Sequence, residues 1–170
     1  APSPAMQTRR GVGASARHAG SVESTVSDVL SLLRPQKDFR EMEWTADVDA
    51  DGARVPRGQE QRTQCLRNLV MNAVDACERR GHIHVVAARD AEGRVVLTVE
   101  DDGPGISEDV AETLFEPFVS TKEVGKGTGL GLAVTRGLVE AAGGSIHLDT
   151  THSPGARFVV TLPAASVIDA

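Results

Sequence analysis

Aromatic residues are scarce in this 170-residue sequence, at 3%, with four phenylalanines, one tryptophan and no tyrosine. Any core must therefore be filled by aliphatic side chains and alanine. Positive charge is not in surplus: 18 Lys+Arg stand against 24 Asp+Glu, a formal net charge of −6. A sequence-independent grip on nucleic acid phosphates has no electrostatic basis, and no nucleic acid partner is expected. Long apolar runs are missing, the longest falling far short of the ~20 residues needed to cross a bilayer. No charged-then-apolar leader opens the chain either. This segment is expected to make no membrane contact and to be cytoplasmic, within a parent protein free to be membrane-anchored elsewhere. The only two cysteines, Cys65 and Cys77, share one helical stretch. They lie roughly 18 Å apart by helical rise, too far for a bridge, and read as reduced core residues. What remains, 40% hydrophobic and 25% charged, is the composition of one globular domain.

Along the chain, residues 1–20 are rich in Ala, Gly, Ser, Pro and Arg without apolar period, and read as a flexible leader or cloning remnant outside the fold. From Ser21 to Arg34 the positions Val22, Val26, Val29, Leu30 and Leu33 form one apolar helical stripe, stopped near Pro35. A strand over Glu41 to Ala46 and a turn-rich stretch lead to a helix from about Gln59 to Arg80, closed by Gly81. A hairpin is expected over His82 to Ala88 and Arg94 to Glu100, then a short helical stretch from Ser107. A helix over Leu130 to Ala142 and two strands, Ser145 to Thr150 and Arg157 to Leu162, complete the order. Mixed helices and hairpins predict an α+β two-layer sandwich, a mostly antiparallel sheet covered on one face by helices.

Three stretches carry chemistry. In the helix QCLRNLVMNAVDAC, Asn68, Asn72 and Asp75 fall within an arc of about 60°, opposite Leu66, Leu69, Val70, Ala73, Val74 and Cys77. The polar group is either a solvated face or a set of ligands, and the Asn72 carboxamide oxygen suits Mg²⁺, which fills its other sites with water and phosphate. In the run Asp101-Asp102-Gly103-Pro104-Gly105-Ile106, glycines allow close approach of a flat ligand, and the Asp101 carboxylate can accept from an exocyclic amine such as adenine N6. The plainer reading is an Asp-Gly-Pro-Gly turn. The segment from Gly125 to Leu132, GKGTGLGL, opens a helix with free backbone N–H groups suited to a polyphosphate, backed by Lys122 and Lys126. Alone it is equally a flexible loop, and it matches neither the Rossmann nor the P-loop spacing. In this order and spacing, the three together suit one nucleotide.

At these residues the chain resembles the catalytic, ATP-binding domain of sensor histidine kinases, in the Bergerat-fold superfamily shared with type II topoisomerases and certain chaperones. The resemblance rests on an N box NLVMNAVDA, a first glycine box DDGPGI, an F box LFEPF followed by VSTK, and a second glycine box GKGTGLGL, spread over roughly residues 40–163. The phrase TKEVGKGTGLGLAV is closest to the nitrogen-regulator-type branch. The resemblance implies Mg²⁺ and ATP as cofactors, with Asn72 the magnesium ligand and Asn68 and Lys122 beside the phosphates. It makes Asp101 the reader of adenine, with Gly103, Gly105 and Ile106 shaping that pocket. Phe115 and Phe118 would anchor a lid, while Lys126, Gly127, Thr128, Gly129, Leu130 and Gly131 would hold the triphosphate. Asp75 stands where many members carry a basic residue. Hydrolytic relatives carry a Glu four residues before the magnesium Asn; Asn68 cannot take a proton there, which favours transfer to another acceptor over hydrolysis.

None of the five histidines, His18, His82, His84, His147 and His152, is followed by an acidic residue as a phosphoacceptor would be. The stretch 21–35 resembles the end of a dimerisation-hairpin helix, with residues 36–170 as the ATP-binding domain. The expectation is thus a domain that transfers the γ-phosphoryl of ATP to a His on a dimerisation domain not contained here, for relay to a response regulator receiver. The isolated domain is expected to be monomeric, with at most weak pairing in trans through Val22, Val26, Val29 and Leu33. The alternatives are a non-catalytic nucleotide- or ligand-binding docking module and, matching less well, an anti-sigma serine kinase.

Overall fold

A computed structural model describes residues 7–10, 21–49, 59–78, 80–117, 131–152 and 154–163. Its elements, in chain order, are β1 (Gln7–Arg10), α1 (Val22–Leu33), β2 (Met42–Asp49), α2 (Gln59–Ala76), β3 (Gly81–Arg89), β4 (Val95–Asp101), α3 (Glu108–Ala111), α4 (Gly131–Ala141), β5 (Ser145–Leu148) and β6 (Arg157–Leu162). The strands form one sheet in the order β1-β2-β3-β4-β6-β5. β1, β2 and β3 run parallel, and the remaining pairs are antiparallel. This is the expected α+β sandwich. None of its helices among the described residues is long and apolar enough to cross a membrane.

Strict alternation along the strands explains why, among the described residues, the helices cover one face of the sheet. Ala46, Val85, Val99 and Phe158 lie in register across four strands and are all buried. One residue over, Thr45, His84, Glu100 and Arg157 form the neighbouring row on the opposite face. That outer row is a polar ladder: His84 Nε2 lies 2.7 Å from Asp47 Oδ2, and Arg157 Nε lies 2.8 Å from Glu100 Oε1. Helices α1 and α2 pack together on the apolar side, and α4 packs on α2. The core is aliphatic as composition requires; Phe39, Trp44 and Phe158 are its only fully buried aromatics among the described residues.

Three expectations are corrected. Residues 7–10, read as part of a leader outside the fold, form the edge strand β1, with Gln7 opposite Thr45 and Arg10 opposite Val48. An edge strand needs only backbone N–H and C=O groups to pair, so it leaves no apolar period in the sequence. The stripe of α1, read as the end of a dimerisation hairpin with a face open to pairing in trans, is instead an integral part of the core. Val22, Val26, Val29 and Leu33 are 0–2% exposed, covered within the same chain. Ser21 caps this helix by accepting the Ser24 N–H at 3.1 Å. α2 also stops sooner than expected: after Ala76 the chain turns through Glu78, at φ +51°, and enters β3 at Gly81.

Candidate functional site

The site is built where the C-terminal end of β4 meets the turn that leads into β6. Alternation along β4 sends Asp101 to the same side as Val95, Leu97 and Val99, so a carboxylate is buried at 5% exposure. Its Oδ1 accepts the N–H of Gly103 at 3.0 Å and that of Ala156 at 3.2 Å, while its own N–H donates to Ala156 O at 3.0 Å. Oδ2 makes no hydrogen bond among the described residues. Burial pushes the Asp101 carboxyl above the usual range, opposed by the two backbone N–H donors. A buried carboxylate with one oxygen satisfied and the other without a partner among the described residues has an acceptor available for a ligand donor.

Two left-handed glycines close this arrangement. Gly105 has φ +80°, and a Cβ there would lie 3.1 Å from the Gly155 carbonyl oxygen. Gly155, at φ +85°, is packed so closely on Asp101 that a Cβ would overlap the Asp101 carbonyl. Gly155 and Ala156 were not singled out in the sequence; the SPGA turn between two strands was their only local signal. Gly103 lies against the Ala76 carbonyl at the end of α2, and Ile106 is half-buried on the core. Asp102 ties the same corner together by accepting the His82 N–H at 2.9 Å and the Cys77 thiol at 3.5 Å. The Cys77 thiol is pushed up to about 12, first by burial and then by Asp101 and Asp102, and burial raises Cys65 to about 11. Both remain protonated and inert, as expected for core cysteines.

The faces of α2 are divided as its periodicity predicts. Leu66, Leu69, Val70, Ala73, Val74 and Cys77 are buried, whereas Asn68 and Asn72 are half-buried and Asp75 is exposed. The Asn72 carboxamide makes no hydrogen bond among the described residues. Asn68 Nδ2 donates to Thr135 Oγ1 on α4 at 3.3 Å, a partner not anticipated from the sequence. Phe115 packs edge-on against Phe158, with ring centroids 6.2 Å apart at 85°, so the first aromatic of the LFEPF stretch is anchored on the core. Gly131 is exposed and opens α4. Phe118, Lys122, Lys126, Gly127, Thr128, Gly129 and Leu130 lie outside the described residues. Among the described residues no three His, Cys, Asp or Glu side chains form a group able to hold a metal ion.

Residues 58–166 match the family of histidine kinase-, DNA gyrase B- and HSP90-like ATPases. The chain belongs to this family. Among curated relatives of this chain, the sensor histidine kinase ZraS of Salmonella typhimurium is 34% identical over 143 residues, covering 84% of this chain and 30% of ZraS. The chain thus spans about a third of that relative's length. Among solved structures, the catalytic domain of histidine kinase ThkA superposes with a TM-score of 0.75 at 28% identity, covering 84% of this chain and 92% of that one. Full-length ShkA in complex with AMPPNP superposes with a TM-score of 0.74 at 29% identity, covering 86% of this chain and 30% of ShkA. ThkA is also known in complex with the response regulator TrrA, where the match has a TM-score of 0.72 at 26% identity, covering 85% of this chain and 41% of that one.

Proposed function

We propose that this ATPase-family chain is the nucleotide-binding catalytic domain of a sensor histidine kinase, transferring the γ-phosphoryl group of ATP to a histidine on a separate dimerisation domain. The observation that carries the reading is Asp101: a buried carboxylate oriented by two backbone N–H groups through Oδ1, with Oδ2 left to accept the adenine 6-amino group. Guanine offers a carbonyl at that position, which a carboxylate repels. The half-buried carboxamide of Asn72, without a hydrogen-bond partner among the described residues, fits magnesium, which takes one or two protein oxygens and leaves its remaining positions to water and phosphate. When bound, the metal neutralises charge on the phosphate oxygens.

The acceptor chemistry agrees with α2. The lone pair of a neutral imidazole nitrogen attacks the γ-phosphorus, a P–N bond forms, the bond to the β–γ bridging oxygen breaks, and ADP leaves with the electron pair. No proton has to be removed from such a nucleophile. A water nucleophile needs a base, and Asn68 cannot be one. Catalysis then rests on positioning and on electrostatic stabilisation by the metal and backbone donors. Glycines 127, 129 and 131 with Lys122 or Lys126 are proposed to cradle the triphosphate, and Phe115 with Phe118 to anchor its lid. A response regulator receiver is the proposed downstream partner, in keeping with the ThkA–TrrA complex.

The test is a calorimetric titration with Mg-ATP, followed by incubation with γ-labelled ATP and a separately supplied kinase dimerisation domain. Binding with label on the supplied histidine is expected. Binding without transfer replaces the enzyme reading with a nucleotide-binding docking module, and no binding removes both. Asn72→Ala should abolish transfer and weaken Mg-ATP at least tenfold, with adenosine binding retained.

A further inference from the structure

Asn68 and Thr135 meet where α2 crosses α4. Thr135 is fully buried, at 0% exposure. Its hydroxyl proton is donated to the Gly131 carbonyl at 2.8 Å, one turn back at the start of α4. That leaves the oxygen lone pair facing α2, and it is filled by one amide proton of Asn68 at 3.3 Å. The Cys65 thiol, one turn earlier on α2, reaches the Thr135 carbonyl at 4.0 Å. The carboxamide of Asn68 is therefore turned with its nitrogen towards α4, because the threonine oxygen can only accept. Asn68 and Asn72 are one helical turn apart on the same face of α2. A link from Asn68 to the first turn of α4 thus fixes where α4 begins relative to Asn72.

Resting on the nucleotide reading above, we propose that Asn68 is a positioning residue that acts through Thr135. The pair holds the start of α4, and with it Gly131 of the second glycine box, in register with the Asn72 carboxamide. In this arrangement Asn68 sets the separation between the two ends of the triphosphate site rather than touching the reacting atoms. Thr135 becomes as important to triphosphate binding as Asn68 itself, although it is buried outside every sequence motif.

The test is a double-mutant cycle in the whole chain, titrated by calorimetry with Mg-ATP and with adenosine. Thr135→Val removes the hydroxyl at constant shape, and Asn68→Ala removes its partner. Each single variant should weaken Mg-ATP about three- to tenfold, the range of one net hydrogen bond, with adenosine affinity unchanged. The double variant should be no weaker than the worse single variant, and Thr135→Ser, which keeps the hydroxyl, should restore wild-type affinity. Additive losses overturn the proposal. So does wild-type ATP affinity in Thr135→Val beside a loss in Asn68→Ala, which assigns Asn68 a direct ligand contact. If Thr135→Val does not fold, as judged by lost adenosine binding, the cycle is repeated with Thr135→Ala and the same outcomes decide. A wild-type chain that ignores Mg-ATP refutes the nucleotide reading instead, so the two failures are distinct.

Discussion

Replacing Asp101 by Asn should separate stability from recognition. The Asn carbonyl oxygen can accept the same two N–H groups, from Gly103 and Ala156, that Oδ1 accepts now. The framework of the pocket should survive. Oδ2 becomes an amide NH₂, so an acceptor for adenine N6 is replaced by a donor that opposes it. The loss of a charge-assisted hydrogen bond is worth about 1.5–3 kcal/mol, or roughly 10- to 150-fold in ATP affinity. Guanine gains a donor for its O6, so the ATP:GTP preference should narrow or invert. Stability should move the other way. Burial raises the Asp101 carboxyl above its unfolded value, so its ionisation costs the native state stability at pH values above the folded pKa and costs nothing below the unfolded one. The neutral amide removes that cost. In the nucleotide-free protein the variant's melting temperature should equal or exceed that of wild type at pH 7–8, the difference fading as pH falls through the carboxylate range, to about 4. Titrations with Mg-ATP and Mg-GTP, together with thermal unfolding between pH 4 and 8, test both halves. ATP affinity within twofold of wild type, or a melting temperature several degrees lower at neutral pH, refutes the reasoning.

Three further expectations concern the frame. Thr151, through its hydroxyl and N–H, and then Arg157 hold the Asp149 carboxyl down to about 2. Its contribution is therefore present above the ordinary carboxylate pKa near 4 and lost as pH falls through about 2, so Asp149→Asn should lower the melting temperature at pH 6 and converge with wild type in strong acid. Leu33→Ala should cost about 2–5 kcal/mol in urea unfolding, because α1 is core and the side chain is fully buried; a change under 0.5 kcal/mol would return α1 to the status of an appendage. Glu78→Gly should add about 0.5–1 kcal/mol, since Glu78 holds φ +51° at the end of α2; an unchanged or lower urea midpoint denies that strain.

Much of this was legible locally. The division of α2 into an aliphatic and an amide-bearing face follows from helical spacing alone, and so does the placement of Asp101 on the core side of β4 by strict alternation. What could not be read was set by contacts between distant segments. Ala156 donates to a carboxylate 55 residues earlier, and no periodicity announces such a partner. Thr135 looked like one more small polar residue in a helix until α2 was laid across it. β1 pairs by backbone alone, and α1 has the same apolar stripe whether it covers its own sheet or a second helix, so sequence could not tell a core helix from a dimer helix. The phosphate-cradling residues between 118 and 130 remain a sequence-based proposal.

The mutual packing of Gly105 and Gly155 makes the proposed purine pocket depend on segments 50 residues apart in the chain. Neither turn can be shaped before the strands that carry them, β4 and β6, are zipped together, and Asp101 has only one of its two clamps until Ala156 arrives. A chain synthesised only as far as residue 150 would hold every amide and carboxylate of the first two boxes yet have no organised place for a base. Nucleotide bound at the proposed site would require β6 to be in place, and by mass action ATP would then hold that strand against fraying.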